Sequence, residues 1–275
     1  MATFKAGRRV FFTLILGYTG HVSFLDVRPQ ISNLLFGTPI VTRFEKGSID
    51  DKLSDMLHTG DVILYSRRWY THHIPMALLI QLYQFTFDCY FDHMGVVVIN
   101  PEDGTPFVLE QGEFSDRATF RRYDDTVLRS EATQINCMRL QPVLQYTDAS
   151  FAKLEDYMEE TTRNKSGKNH SEFYGLLCFL TKYYWDKLFG NSSTKNKSSG
   201  GNQNDSILCP SSNMMFNVYN ALGFNKSLVG GEHDPYITVN NFVDNKIRLR
   251  CLKGPCEKKH DKSVTYGQIE VVRMK

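Results

Sequence analysis

The chain has 275 residues, of which 41% are hydrophobic and 23% are charged. These proportions are typical of a soluble globular protein with one or two domains. Its 32 basic and 30 acidic residues leave a net charge of +2. This balance argues against a nucleic-acid-binding protein, which would concentrate basic residues on one face or in one run.

Residues 1–45 have the composition of a leader or targeting segment. Arg8 and Arg9 precede an apolar stretch from Val10 to Leu16, and the first acidic residue is Asp26. The stretch is shorter than the roughly 20 residues of a membrane span. An arginine-bearing, acid-free start favours a mitochondrial presequence slightly over a secretory signal. A cytoplasmic protein with an ordinary first element is the remaining alternative.

The domain proper begins near residue 46. Ser48 to His58 has the pattern of a short polar helix, and Val62 to Tyr65 is a buried strand after a Thr-Gly-Asp turn. A helix follows with Pro75 in its first turn, and it is apolar nearly all round over 76–87. Such a helix is buried in protein or touches lipid. Burial is favoured because the stretch is short, but contact of 76–91 with a membrane surface stays open.

A hairpin is predicted next, since a turn of Asn, Pro, Asp and Gly separates two apolar strands. Elsewhere, apolar residues that alternate with polar ones predict strands, and apolar residues at helical spacing predict helices. The predicted strands are Met94–Ile99, Phe107–Glu110, Gln134–Leu140, 246–251 and 268–274, and the predicted helices are 148–162 and 172–189.

Residues 190–206 are rich in Ser, Asn, Lys and Gly. Such a composition buries too little apolar surface to offset its ordering entropy. We interpret it as an insertion within one domain that spans 46–275, because the segments on either side complete one another.

Cys209 has the strongest chemical context in the chain. The pair Ile207-Leu208 leads into it, Pro210 suits the first position of a helix, and Gly223 suits its end. A cysteine at a helix N-terminus has its thiolate favoured by free amide groups and by the helix dipole. The same amide groups could bind a developing oxyanion.

A thiol nucleophile needs a base, and His93 is the candidate. It begins an otherwise apolar strand, and Glu110 ends the next strand. If these strands pair as a hairpin, Glu110 can approach His93 and fix its tautomer. Taken singly, each residue has a structural interpretation, since lone cysteines are usually buried core residues. The three together favour a catalytic site.

The order of these segments resembles the permuted NlpC-like papain-fold family of the YiiX type. In that family a His strand and a Glu strand come before the cysteine, whereas ordinary papain-like enzymes have the cysteine first. The resemblance spans about 59–242 and is carried by Gly60–Leu64, Asp92–Val98, Val108–Glu110, Leu208–Ser212 and Asp234–Thr238.

This resemblance implies an α+β domain with a central antiparallel sheet and a permuted papain-like fold. In it Cys209, at a helix N-terminus, is the nucleophile, His93 the base and Glu110 the orienting group. One departure is the pair Pro210-Ser211, where the family often has Ser-Glu. We expect no cofactor and no metal. Cys251 and Cys256 are close in sequence, but no second pair with ligand spacing exists.

The function expected is hydrolysis or transfer of an acyl group at an amide, ester or thioester, with a peptide, amide or acyl lipid as substrate. One alternative is a catalytically silent papain-like subunit of a larger assembly, for which a mitochondrial location would fit. A second alternative is a lipid-directed acyltransferase or phospholipase, supported by the apolar helix over 76–87.

Overall fold

The computed structural model describes residues 43–130, 132–141, 148–163, 171–189, 207–228, 236–244, 247–251 and 263–274, besides positions 17, 20, 34 and 35. Most of the predicted leader and the whole predicted insertion at 190–206 lie outside the described residues. Within them the chain is α+β, with an antiparallel sheet and seven α-helices.

The described helices are α1 (Ile49–Asp55), α2 (Ile74–Phe87), α3 (Tyr123–Arg129), α4 (Asp148–Arg163), α5 (Glu172–Phe189), α6 (Pro210–Ala221) and α7 (Val239–Val243). The strands are β1 (Val62–Arg67), β2 (His93–Ile99), β3 (Pro106–Glu110), β4 (Thr119–Arg122), β5 (Ala132–Gln141), β6 (Ile207–Leu208), β7 (Phe224–Leu228), β8 (Tyr236–Ile237), β9 (Ile247–Cys251) and β10 (Ser263–Met274).

The main sheet has the strand order β4-β3-β2-β1-β5, continued by β10, β9 and β7. All of its neighbouring strands are antiparallel, which confirms the predicted antiparallel sheet. The predicted hairpin is formed by β2 and β3, with Gly95 opposite Glu110. A separate parallel pair, β6 with β8, leads into α6 and α7.

Both faces of the sheet are covered, so β1 is buried along nearly its whole length. Successive side chains of a strand point to opposite faces. Val62 and Leu64 pack into the larger core with α2 and α4 to α7, whereas Ile63 and Tyr65 pack into a smaller core with α1 and α3. The larger core places α6 against β2.

The helix predicted as apolar all round, α2, is buried on one side only. Met76, Ile80 and Tyr83 lie in the core, whereas Leu78 and Phe85 are exposed. The helix ends at Phe87 because Asp88 adopts a left-handed backbone conformation with φ 49°. No helix in the described part of the chain has both the length and the apolar character needed to cross a membrane.

Candidate functional site

Cys209 is the N-cap residue of α6, as the sequence predicts. Its backbone is extended, and Pro210 is the first helical residue. The Cys209 carbonyl accepts the N–H of Asn213 at 2.9 Å, which closes the first turn of the helix. Its own N–H donates to the carbonyl of Ile237 at 3.0 Å. The cysteine backbone is therefore fixed between the helix and strand β8.

The sequence predicts a favoured thiolate at Cys209, whereas the structure has a buried thiol with a raised pKa. The residue is 3% exposed, and its Sγ lies 2.8 Å from Ser212 Oγ. Burial raises the pKa of Cys209 to about 11, and the hydrogen bond with Ser212 opposes this effect only in part. Burial thus outweighs the helix end, and the thiol is protonated at neutral pH.

His93 is the first residue of β2 and is buried. Its Nδ1 lies 2.8 Å from Oε1 of Glu172 and 3.2 Å from Oγ of Ser211. Because the Glu172 carboxylate is an acceptor, Nδ1 is assigned as the protonated nitrogen of the ring. Nε2 is then the nitrogen that gains or loses a proton.

Glu172 is the first residue of α5 and is held by Arg67 as well as by His93. Arg67 Nη1 donates to Oε2 at 2.8 Å, and Nη2 donates to Oε1 at 3.0 Å. The same guanidinium donates from Nε to Asp92 at 2.6 Å. This bidentate contact fixes the carboxylate plane that faces His93. We call Arg67, Asp92, His93 and Glu172 the ion cluster.

The ion cluster sets the protonation of its members. Burial opposes charge on Glu172, but the positive charges of Arg67 and His93 outweigh it and lower its pKa well below the ordinary value. Burial is the largest single effect on His93 and, with the charge of Arg67, lowers its pKa; the charge and hydrogen bond of Glu172, helped by the charge of Glu110, together outweigh them and raise the pKa of His93. The buried imidazole is thus stabilised in its protonated form.

Glu110, the predicted orienting residue, lies near His93 but does not bond to it. Its side chain packs against Gly95, where an added Cβ would come within 2.9 Å of the Glu110 Cγ. Its charge adds a smaller upward contribution to the pKa of His93. In the described part of the chain, the carboxylate that accepts from His93 belongs to Glu172. The orienting role of Glu110 therefore stays a prediction.

The starts of α5 and α6 meet beside His93. Ser211, in the first turn of α6, contacts the imidazole and lies 3.4 Å from Glu172. An added Cβ on Gly175 would lie 2.7 Å from the Pro210 ring, so the helices touch there. The N–H of Glu172 donates to the carbonyl of Gly112, which anchors the start of α5.

Cys209 and His93 are brought to the same helix end without a direct hydrogen bond. Cys209 Sγ bonds to Ser212, and His93 Nδ1 bonds to Glu172 and Ser211. Neither Glu172 nor Ser211 is predicted from the sequence as a site residue. Glu172 has the sequence signal of an ordinary acidic residue in the first turn of a helix. Over the described ranges, no group of three or more His, Cys, Asp or Glu side chains could hold a metal ion.

The ion cluster should make the free energy of unfolding depend on pH. Because the pKa of His93 is raised on folding, its protonation stabilises the folded state below about pH 6.5. That contribution is lost as the pH rises through the raised pKa. The difference in free energy of unfolding between wild type and His93→Gln should therefore shrink from pH 5.5 to 9 in urea titrations. His73→Gln, which lies outside the cluster, is the control and should not follow the same course.

Comparison of the chain with protein-family models and with curated proteins finds no match.

Proposed function

We propose that this protein hydrolyses or transfers an acyl group at an amide, ester or thioester, on a permuted papain-like fold. The observation that carries the proposal is the buried hydrogen bond of 2.8 Å between His93 Nδ1 and Glu172, beside the first turn of α6. An imidazole oriented by a carboxylate is the usual arrangement for activating a nucleophile.

In the proposed reaction, Cys209 Sγ attacks the carbonyl carbon and its proton passes to Nε2 of His93. The leaving amine, alcohol or thiol takes that proton as the bond to the acyl carbon breaks. Water or a second acceptor then attacks the thioester, and His93 again carries the proton. Glu172 keeps Nδ1 protonated throughout, and N–H groups in the first turn of α6 bind the oxyanion.

This chemistry requires the hydrogen bond between Cys209 Sγ and Ser212 Oγ to break. Sγ accepts or donates one hydrogen bond there, and rotation about the Cα–Cβ bond of Cys209 would break it. Catalytic hydrogen bonds are often long or misaligned without substrate and tighten when it binds. Substrate binding at the start of α6 would thus complete the pairing of Cys209 with His93.

The chain order of the site supports the permuted fold. His93 begins one strand, Glu110 ends its hairpin partner, and Cys209 opens a later helix that packs against the His93 strand. This is the order of the YiiX-type family that the sequence resembles. Glu172 would add a carboxylate on the Nδ1 side of the same imidazole.

The proposal is tested by labelling with a thiol-directed acyl probe, followed by mapping of the labelled residue by mass spectrometry. A Cys178→Ser background is needed because Cys178 is exposed and would react without catalysis. We expect labelling of Cys209 that is lost in Cys209→Ser and slowed about 10²–10⁴-fold in His93→Gln. Equal labelling of the parent protein and Cys209→Ser would count against the proposal.

A second candidate is a catalytically silent subunit of a larger assembly. The observation in its favour is the Cys209 thiol, which is buried and whose pKa is raised to about 11. A reactive thiol is normally accessible and has a lowered pKa. Absence of labelling, together with purification in a stable complex, would favour this candidate over the acyl hydrolase.

A further inference from the structure

Tyr83 is a buried tyrosine of α2 whose hydroxyl lies at the segment that fixes Cys209. The residue is 1% exposed. Its hydroxyl accepts the N–H of Val239 at 3.1 Å. Two residues earlier in the chain, the carbonyl of Ile237 accepts the N–H of Cys209 at 3.0 Å. The tip of the tyrosine and the backbone of the cysteine are therefore bound to the same short segment.

The ring of Tyr83 is held by other aromatic rings. Its centroid lies 5.3 Å from that of Phe87 and 6.2 Å from that of Phe179 on α5. Both distances lie in the range at which aromatic pairs pack favourably. Ring packing and the N–H of Val239 thus fix the hydroxyl before any reaction begins. A polar group fixed in this way costs no reorganisation when a charge develops beside it.

The hydroxyl of Tyr83 is a donor that faces sulfur. Its oxygen accepts from Val239, which leaves its proton available to donate. Burial, followed by the negative charges of ionised Cys209 and Cys89, raises the pKa of Tyr83 well above its ordinary value. The proton therefore stays on the phenol oxygen. The acceptors that it reaches are the sulfur atoms of Cys209 and Cys89.

Hydrogen-bond donors thus reach Cys209 Sγ from two helices. The hydroxyl of Ser212, 2.8 Å away, belongs to α6, and the hydroxyl of Tyr83 belongs to α2. Burial, the largest effect, and the charge of an ionised Cys89 oppose the thiolate, whereas Ser212 and Tyr83 favour it. His93, at the same helix end, makes its hydrogen bonds with other partners. Tyr83 is therefore a source of thiolate stabilisation that does not come from the imidazole.

We propose that Tyr83 is a further residue of the nucleophile site, whose hydroxyl donates a hydrogen bond to Cys209 Sγ and stabilises the thiolate. This role rests on the acyl chemistry proposed above, in which the thiol loses its proton to His93. The proton of Tyr83 remains on its own oxygen, so the thiol proton alone is transferred in this step. Hydrogen bonds to charged groups are roughly twice as strong as neutral ones, so the bond strengthens when Cys209 ionises.

Alkylation of the full chain by iodoacetamide tests this hydrogen bond without any acyl chemistry. The thiolate displaces iodide from the reagent, so the rate follows the thiolate fraction. Rates are measured at pH 8 in the Cys178→Ser background, and the modified residue is mapped by mass spectrometry. At this pH Cys209 is mostly a thiol, since burial raises its pKa to about 11. We expect Tyr83→Phe to slow alkylation of Cys209 about 10–100-fold, because the thiolate loses a hydrogen bond.

Two further variants make the test specific. Tyr219→Phe is the matched control, since Tyr219 is also 1% exposed and its hydroxyl donates to the carbonyl of Gly60 at 2.6 Å. It removes a buried hydrogen bond of α6 itself and should not slow alkylation of Cys209. Cys89→Ala removes the second sulfur acceptor, so the Tyr83 proton no longer divides between two sulfur atoms. Alkylation of Cys209 should then rise by up to about twofold.

Any of three results would overturn the proposal. Alkylation of Tyr83→Phe could be as fast as that of the parent or faster, which would make the ring only a cover over the thiol. Tyr219→Phe could slow alkylation to the same extent, or Cys89→Ala could slow it. Acyl-probe labelling is scored separately. Slower alkylation of Tyr83→Phe without acyl labelling of the parent would support the hydrogen bond and reject the proposed function, and the reverse pair of results would reject the hydrogen bond alone.

Discussion

Arg67→Met is expected to lower the free energy of unfolding by about 3–5 kcal/mol. The guanidinium is the only cation that contacts both Asp92 and Glu172 among the described residues. Its removal leaves two buried carboxylates without their common partner, because Arg67, Asp92 and Glu172 all have side chains at most 12% exposed. Methionine has a similar length, so the loss reflects charge and hydrogen bonding more than a cavity.

Arg122→Met is the matched control for this prediction. Arg122 also pairs with a carboxylate, Asp124 at 3.0 Å, but its side chain is 41% exposed. Solvent-exposed ion pairs contribute about 0–1 kcal/mol. Urea unfolding of both variants and wild type at pH 7 gives the comparison. Equal losses for the two arginines would show that the ion cluster adds nothing beyond an ordinary surface pair.

Glu172→Gln is expected to slow acyl labelling of Cys209 by about 10²–10⁴-fold, if His93 is the base. The amide keeps the shape of the side chain but removes the negative charge that stabilises the protonated imidazole. The pKa of His93, followed by NMR, should fall in this variant, since the charge and hydrogen bond of Glu172 are the largest of the contributions that raise it. A purely structural role for Glu172 would change stability without this shift in the pKa.

Glu110→Gln separates the two candidate carboxylates. Glu110 is the residue that the sequence predicts as orienting group, whereas Glu172 makes the hydrogen bond with His93. We expect the smaller change in the labelling rate and in the pKa of His93 from Glu110→Gln. If Glu110→Gln has the larger effect on both measurements, the sequence prediction is confirmed and Glu172 serves the fold.

Local signals account for the parts of the structure that the sequence predicts well. Helix α5 spans the predicted residues 172–189, and Ser171 caps its start by accepting the N–H of Tyr174. The start of α6 follows from Pro210, and its end from Gly223, which has φ 91°. Short elements such as β4 and α7 have no comparable signal and are not predicted.

The ion cluster could not be predicted, because its contacts join distant parts of the chain. His93 and Glu172 are 79 positions apart, and Arg67 and Glu172 are 105 apart. Their meeting depends on how the start of α5 packs over β1 and β2, which no local pattern encodes. The buried state of Cys209 has the same origin, since Tyr83 of α2 lies beside its thiol.

The ion cluster has a consequence for any proton that reaches His93. Arg67 contributes one positive charge, and Asp92 and Glu172 contribute two negative charges. With a neutral imidazole the formal total is 1 − 2 = −1, and with an imidazolium it is zero. A proton taken up at Nε2 would therefore bring this buried group of four residues to electroneutrality. Proton uptake from a nucleophile would thus neutralise the formal charge of these four side chains, and the nearby Glu110 carboxylate adds a smaller attraction for the same proton.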